Sequence, residues 1–424
     1  MNKLLLFVLL FTVTVLQART PDKIYHDNIR SVKLYKANNQ LAYPILTLQG
    51  SDKLELHFDD MHGDVKNYFY SFVLCDADWT VANVVPFDYI QGFQTTRIST
   101  YRISSISETK YTHYTATLPE RSSVPTRSGN YILKVFLNND TSKLAFTKRF
   151  LVVDTKVQLA AQIKQPLNGQ LFQTHQRIQA VINSANSKVN ILSPQDIKLN
   201  VVQNFNWTQS VLQTRPTIFR GNYFEYSDDG LTFPAGREFR WAYLNTFRLL
   251  TDRMAKIDDK VDGQIQVYLK PDADQSKQVY FSFNDINGLY RLENEDGNNP
   301  FWQSDYGYVH FTYVPSNRLA IPGKDVYIWG ELTQYQANEQ NKMEFNEVEG
   351  VYQKTLFLKQ GYYNYSYVTQ TAAQAKTGTN TTENLEGNFW AAENSYMVLV
   401  YFRPFGARSD ELIGFTTVNS IAGR

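Results

Sequence analysis

The residues best equipped for chemistry come early in the chain. Asp59-Asp60-Met61-His62-Gly63-Asp64 gathers three carboxylates and an imidazole within six residues. Oxygen-rich loops of this kind suit a hard cation such as Ca²⁺. The spacing does not follow the EF-hand pattern, and an acidic, Gly-containing cluster between two apolar runs reads first as a solvated turn. Asp76 and Asp78, on either side of Ala77, form a second pair. Paired carboxylates serve glycoside hydrolysis. No further catalytic group accompanies this pair, and capping a turn that holds Trp79 is the simpler role. His26, His57, His62, His113, His175 and His310 are scattered, without HxxH or HExxH spacing. No GxSxG, phosphate-binding loop or GxGxxG is present. The sequence therefore assigns no catalytic, cofactor-binding or metal-binding residue, and the chain reads as a protein that is not an enzyme.

Two other residue types invite a role. Cys75 is the one cysteine and sits inside an apolar run, where a free thiol packs as a small hydrophobe. A single thiol allows no internal disulfide, so stability must come from large cores. Trp329, in VYIWGELTQYQ, and Tyr335 beside it could stack on a sugar as an exposed platform. The competing reading turns Trp329 into the core from an alternating strand. The platform defines an alternative function, a secreted or surface glycan-binding β-sandwich protein.

Strands must position all of these groups. Tyr68 to Trp79, YFYSFVLCDADW, is an aromatic and aliphatic run that breaks on Asp76-Ala77-Asp78 and ends on a tryptophan. It reads as the central strand of a first β domain, with Trp79 folded back over the core. Alternating runs at 32–35, 45–48, 54–58, 111–118, 131–137 and 146–153 supply its partners, and Asn138-Asn139-Asp140 marks a hairpin turn. The connection 81–109 is long and carries Phe87, Tyr89, Phe93, Ile98 and Tyr101; loops of this length are usually functional or carry extra structure of their own. Further alternation continues to Met397–Phe402, including Val279 to Phe283, while 371–387 is polar and reads as a mobile loop. No stretch shows a helical period. The expected fold is all-β, two or three β-sandwich modules in tandem, immunoglobulin-like or early-set-like. The expected divisions are a signal peptide at 1–18, an N-terminal β-sandwich at 24–154, a middle β domain at 155–274 and a C-terminal early-set-like β-sandwich at 275–420. An outer-membrane barrel fits less well, because most runs are shorter than the nine to eleven residues such strands need.

Composition narrows the class. The chain has 424 residues, 43% apolar and 14% aromatic, with 28 Tyr and 27 Phe. Its 42 basic and 41 acidic side chains leave a net charge of +1, which gives no electrostatic case for nucleic acid. Met1-Asn2-Lys3 followed by the apolar Leu4 to Leu16 reads as a secretory signal, with an apolar core shorter than a membrane span needs.

Several ordered motifs together carry a resemblance. In the first domain they are YFYSFVLCDADW at 68–79, Asp88-Tyr89-Ile90-Gln91-Gly92-Phe93, Lys110-Tyr111-Thr112-His113-Tyr114, Leu118-Pro119 and Ser128-Gly129-Asn130-Tyr131. Near the C-terminus they are Glu386-Gly387-Asn388-Phe389-Trp390, Val400-Tyr401-Phe402-Arg403-Pro404 and Leu412-Ile413-Gly414. Over about 25–415 the chain resembles the plug protein of the Bacteroidota type IX secretion system. It departs from that pattern at Ser104 to Thr109, SSISET, where an Asn is expected just before the Thr. The resemblance implies a periplasmic protein without cofactor or membrane span. It would sit as a monomer on the outer-membrane translocon barrel of that system and close its periplasmic opening. Tyr89, Phe93, Arg97 and Tyr101, on the long loop, are the candidate anchors of such a contact.

Overall fold

The computed structural model describes residues 22–421 apart from 186, 188 and 262. The expected signal peptide at 1–18 lies outside the described residues. The fold is built almost wholly of strands, as the period-two alternation requires.

In the first unit two sheets face each other. One runs Lys23–Ile24, Leu144–Val153, Gly129–Leu137, Tyr68–Cys75, Thr96–Arg97, with Ile45–Thr47 added parallel to Leu144–Val153. The other runs Ile29–Lys36, Leu54–Asp60, Thr112–Leu118, Thr100–Ile103. Alternate residues point inward: Tyr68, Tyr70, Phe72 and Leu74 from one strand meet Leu54, Leu56 and Phe58 from the opposite sheet, all buried. Tyr68–Cys75 is not the centre of its sheet. Gly129–Leu137 is, paired along its length on both sides, whereas Tyr68–Cys75 is met on its outer side by the short Thr96–Arg97 and a single bridge to Val81.

The remaining chain is interleaved. A middle sandwich sets Gln158–Lys164, His175–Asn183, Tyr223–Tyr226 and Ile218–Arg220 against a second sheet. That second sheet contains Val211–Gln213 and Ile197–Gln203 together with the last strands of the chain, Ser395–Phe402 and Glu411–Asn419. Between these parts the chain makes a third sandwich. Arg240–Tyr243 joins Tyr362–Gln370, and Gln264–Leu269 lies parallel to Tyr306–Val314. The division expected at residue 274 is thus crossed by sheets on both sides of it: the third unit begins near 240 and is inserted into the middle one. Val279 to Phe283 forms no strand, and Val279 and Phe281 are exposed. The loop 371–387 carries a helix, Ala372–Thr377. Thr371 and Gln374 close a capping box at its start, and Gly378 ends it in the left-handed region.

Candidate docking surface

The acidic cluster is structural. Asp59 and Asp60 end strand Leu54–Asp60 and are fully buried, so the expected solvated turn is confined to the residues after them. Asp60, His62 and Asp64 do converge. The ammonium of Lys66 fills the place between them, 2.6 Å from Asp60 Oδ2, 2.6 Å from His62 Nδ1 and 3.0 Å from Asp64 Oδ1. A metal ion would have to displace that charge. Asp76 accepts from Arg403 and from the Asp410 backbone N–H, while Asp78 accepts from the Thr80 N–H and hydroxyl. Both carboxylates hold turns in place. Cys75 is buried, and burial pushes its thiol up to about 12, far from a reactive thiolate.

Asp59 faces the third unit. Lys359 Nζ donates to it at 2.5 Å, Tyr306 Oη at 2.5 Å and His113 Nδ1 at 2.6 Å. Burial alone would raise this carboxyl, but Lys359 and His113 overcome it and hold Asp59 below the ordinary range. His57 Nδ1 in turn lies 3.0 Å from His113 Nε2 and stacks on Phe301 at 3.9 Å. With both rings neutral, His57 donates to His113 and His113 donates to Asp59. A reciprocal pair lies nearby: Lys33 donates to both oxygens of Glu331 and to the Tyr290 carbonyl. Two ion pairs therefore run in opposite senses across this seam; Lys359–Asp59 is buried at both ends, where removing one partner costs about 3–5 kcal/mol, while Glu331 keeps some access to water.

The seam with the middle unit is aromatic. Trp79 meets Trp207 edge-on at 4.8 Å, and Tyr401 donates its hydroxyl to Asn130. Trp79 does fold back, but the cluster it covers lies between units and includes Leu151, Val202, Met397 and Leu412. Both seams lock the first unit onto the rest.

One long edge of the first unit is left uncovered by these seams. Val81 bridges to Cys75, and Thr96–Arg97 pairs with Phe69 and Tyr70 at the far end of the same strand. Ile98 then dips into the core, and Thr100–Ile103 pairs with the edge of the opposite sheet. Residues 81–103 thus run down the open side of the sandwich. They expose Phe87 (79%), Phe93 (69%), Val81, Val85, Tyr101 and Ile103. The basic side chains Arg97, Arg102 and Arg121 are exposed as well. Isolated exposed apolar side chains are ordinary; a row of this length on one edge is a candidate interaction surface.

The expected anchors divide on this edge. Phe93, Arg97 and Tyr101 are exposed, Arg97 donating to the Asn67 side-chain oxygen. Tyr89 is not available: it is buried against Tyr131 in the core and donates its hydroxyl to the Phe72 carbonyl. Phe87, which the sequence reading placed on this loop without choosing it as an anchor, is more exposed than any of the three aromatic candidates; Pro86-Phe87-Asp88 forms a short 3₁₀ turn that holds the ring outward. The glycan platform is overturned. Trp329 and Tyr335 are 3% and 8% exposed and meet each other edge-on at 5.9 Å, so neither offers a free face to a sugar ring.

Residues 29–154 match the model of the type 9 secretion system plug protein 1st domain. Among solved structures, the chain is similar to a protein from Parabacteroides merdae whose crystal structure is described as that of a hypothetical protein. The two share 30% sequence identity with a TM-score of 0.88, over 94% of this chain and 98% of that one. No curated protein matches. The matched domain is the unit that bears the open edge and both seams, and the likeness to the solved structure spans nearly the whole chain. The chain therefore belongs to the family of type IX secretion system plug proteins, and its role is in type IX secretion.

Proposed function

We propose that the chain is a non-enzymatic periplasmic subunit that docks on the type IX secretion outer-membrane translocon and closes its periplasmic opening. The observation that carries this reading is the uncovered edge 81–103, with its exposed Phe87 and Phe93, on a body otherwise locked by buried ion pairs. A closing subunit needs bulk, stiffness and a releasable contact, and the side chains best equipped for chemistry are all committed to structure. A contact of standard size buries about 800 Å² per partner and draws most of its affinity from a few aromatic or Arg anchors. Phe87, Phe93, Arg97 and Tyr101 fill that role here.

Affinity capture from outer-membrane extracts tests the assignment. The tagged protein is expected to retain the translocon barrel, and Phe87→Ser with Phe93→Ser to lose about tenfold or more of the capture. Both residues are exposed, so thermal stability should stay within about 0.5 kcal/mol of wild type. Recovery of soluble partners alone, or undiminished capture by the double variant, would contradict the proposal.

A further inference from the structure

A cavity of about 70 Å³ lies where all three units meet, with Tyr43, Lys148 and Arg149 on the first, Phe205 on the middle and Glu331 and Gln334 on the third. Lys148 and Arg149 stand on strand Leu144–Val153 in the gap between its two short neighbours, which pair only at 146–147 and at 151–153. They are 9% and 6% exposed. Among the described residues, no acceptor hydrogen-bonds either head group, and the carboxylate that favours the Arg149 charge, Asp22, does so without an ion-pair contact. The Arg149 guanidinium lies against the edge-on pair of Trp79 and Trp207, 5.1 and 5.6 Å from their ring centres, and its Nε is buried without a partner. Asp22 is close, but it accepts from the backbone N–H of Arg149 at 2.7 Å. Glu331 is taken by Lys33.

Around the cavity, Lys33, Lys148 and Arg149 face Asp22 and Glu331, which leaves one positive charge unmatched. Ring faces recover only part of the cost of taking a guanidinium out of water. Gln334 adds a buried side-chain oxygen that also lacks a partner, and rotation of its amide turns the NH₂ toward the same space.

We propose that this junction cavity is an anion site that takes one small oxyanion, a phosphate or a carboxylate group, between Lys148 and Arg149. Because each unit supplies part of the wall, occupancy pins the three together, and the stability of the folded chain grows with the logarithm of anion concentration once the site fills.

The test is thermal unfolding of the full chain at constant pH and ionic strength. Low-millimolar phosphate or acetate is compared with chloride, at concentrations where general salt effects on burial are small. Phosphate or acetate is expected to raise the midpoint by about 2 °C or more. Whichever acts tells a tetrahedral ligand from a carboxylate one. Lys148→Gln should abolish the rise, whereas Lys143→Gln, on the exposed hairpin, should keep it. A wild-type midpoint that responds to neither anion overturns the site without any variant. So does a rise that Lys148→Gln retains in full, since it would then be a general salt effect.

Discussion

Lys359 reaches Asp59 across 300 positions of sequence, and neither side chain has access to water. Replacing Lys359 by Met strands a buried carboxylate and should cost about 3–5 kcal/mol in urea unfolding. Adding Asp59→Asn to that variant should return much of the loss, because the uncompensated charge disappears. A single and double variant of equal stability would show that the pair is not coupled. The adjoining imidazoles give the protein a pH dependence of fixed sign. Burial, then the neighbouring His113, pull His57 down to about 3, and burial lowers His113 as well. In the unfolded chain both titrate near 6.5, so between these values the unfolded state binds more protons and stability falls as the pH drops. Asp59 adds to this only lower, as the pH falls through and below the ordinary carboxylate range. Asp285, which burial pushes up to about 7, works in the opposite sense over the same range, so the share of the two rings is read as the difference between wild type and a His57 variant. His57→Phe should flatten the profile by close to one proton, about 1.4 kcal/mol per pH unit. An unchanged slope would place the proton elsewhere. At this scale the sequence shows which residues carry charge but not what they face. Asp59 and Asp78 look alike in the one-letter string, yet one is buried in a seam and the other caps a turn. Cys75 was legible because its neighbours alone determine its burial.

Ile197–Gln203 pairs with Ser395–Phe402 over its whole length, so the middle sandwich is incomplete until the end of the chain arrives. A fragment of residues 155–274 should consequently stay unfolded or aggregate, since Ile197–Gln203 becomes an open edge and its core loses Tyr396, Val398, Val400 and Ile413. A well-dispersed NMR spectrum from that fragment would contradict the interleaved architecture. Strand positions could be read from alternation, but their partners could not, because a period of two specifies which face is apolar and not which edge pairs with which. Val279 to Phe283 makes the point. It alternates, with Tyr280 turned to Glu238 and Phe283 against Trp241, while its backbone joins no ladder. The helix Ala372–Thr377 escaped because six residues are too few to display a period of 3.6. The edge 81–103 was visible as a long aromatic connection. Which of its rings point outward was not, as Tyr89 and Phe87 differ in context rather than type.

For the molecule as a whole, the seams convert three sandwiches into one body, and the open edge is the side on which docking is proposed. The family was legible from ordered motifs because those motifs sit at structural demands. Asn130 ties Tyr401 to the Asp76 turn, and Gly129 adopts a φ of +148° where a Cβ would crowd the Leu74 side chain at 3.0 Å. Glu386 accepts from Arg240 inside the third unit. Motifs of this kind record how the chain folds together, and the docking side had to come from exposure. The claim that the protein acts by obstruction is tested most directly by electrical recording of the purified translocon barrel in a planar bilayer. Adding the protein on the periplasmic side should reduce the open-pore conductance, and Phe87→Ser with Phe93→Ser should leave the pore open at the same concentration. A pore that conducts unchanged while the wild-type protein is demonstrably bound would contradict the account.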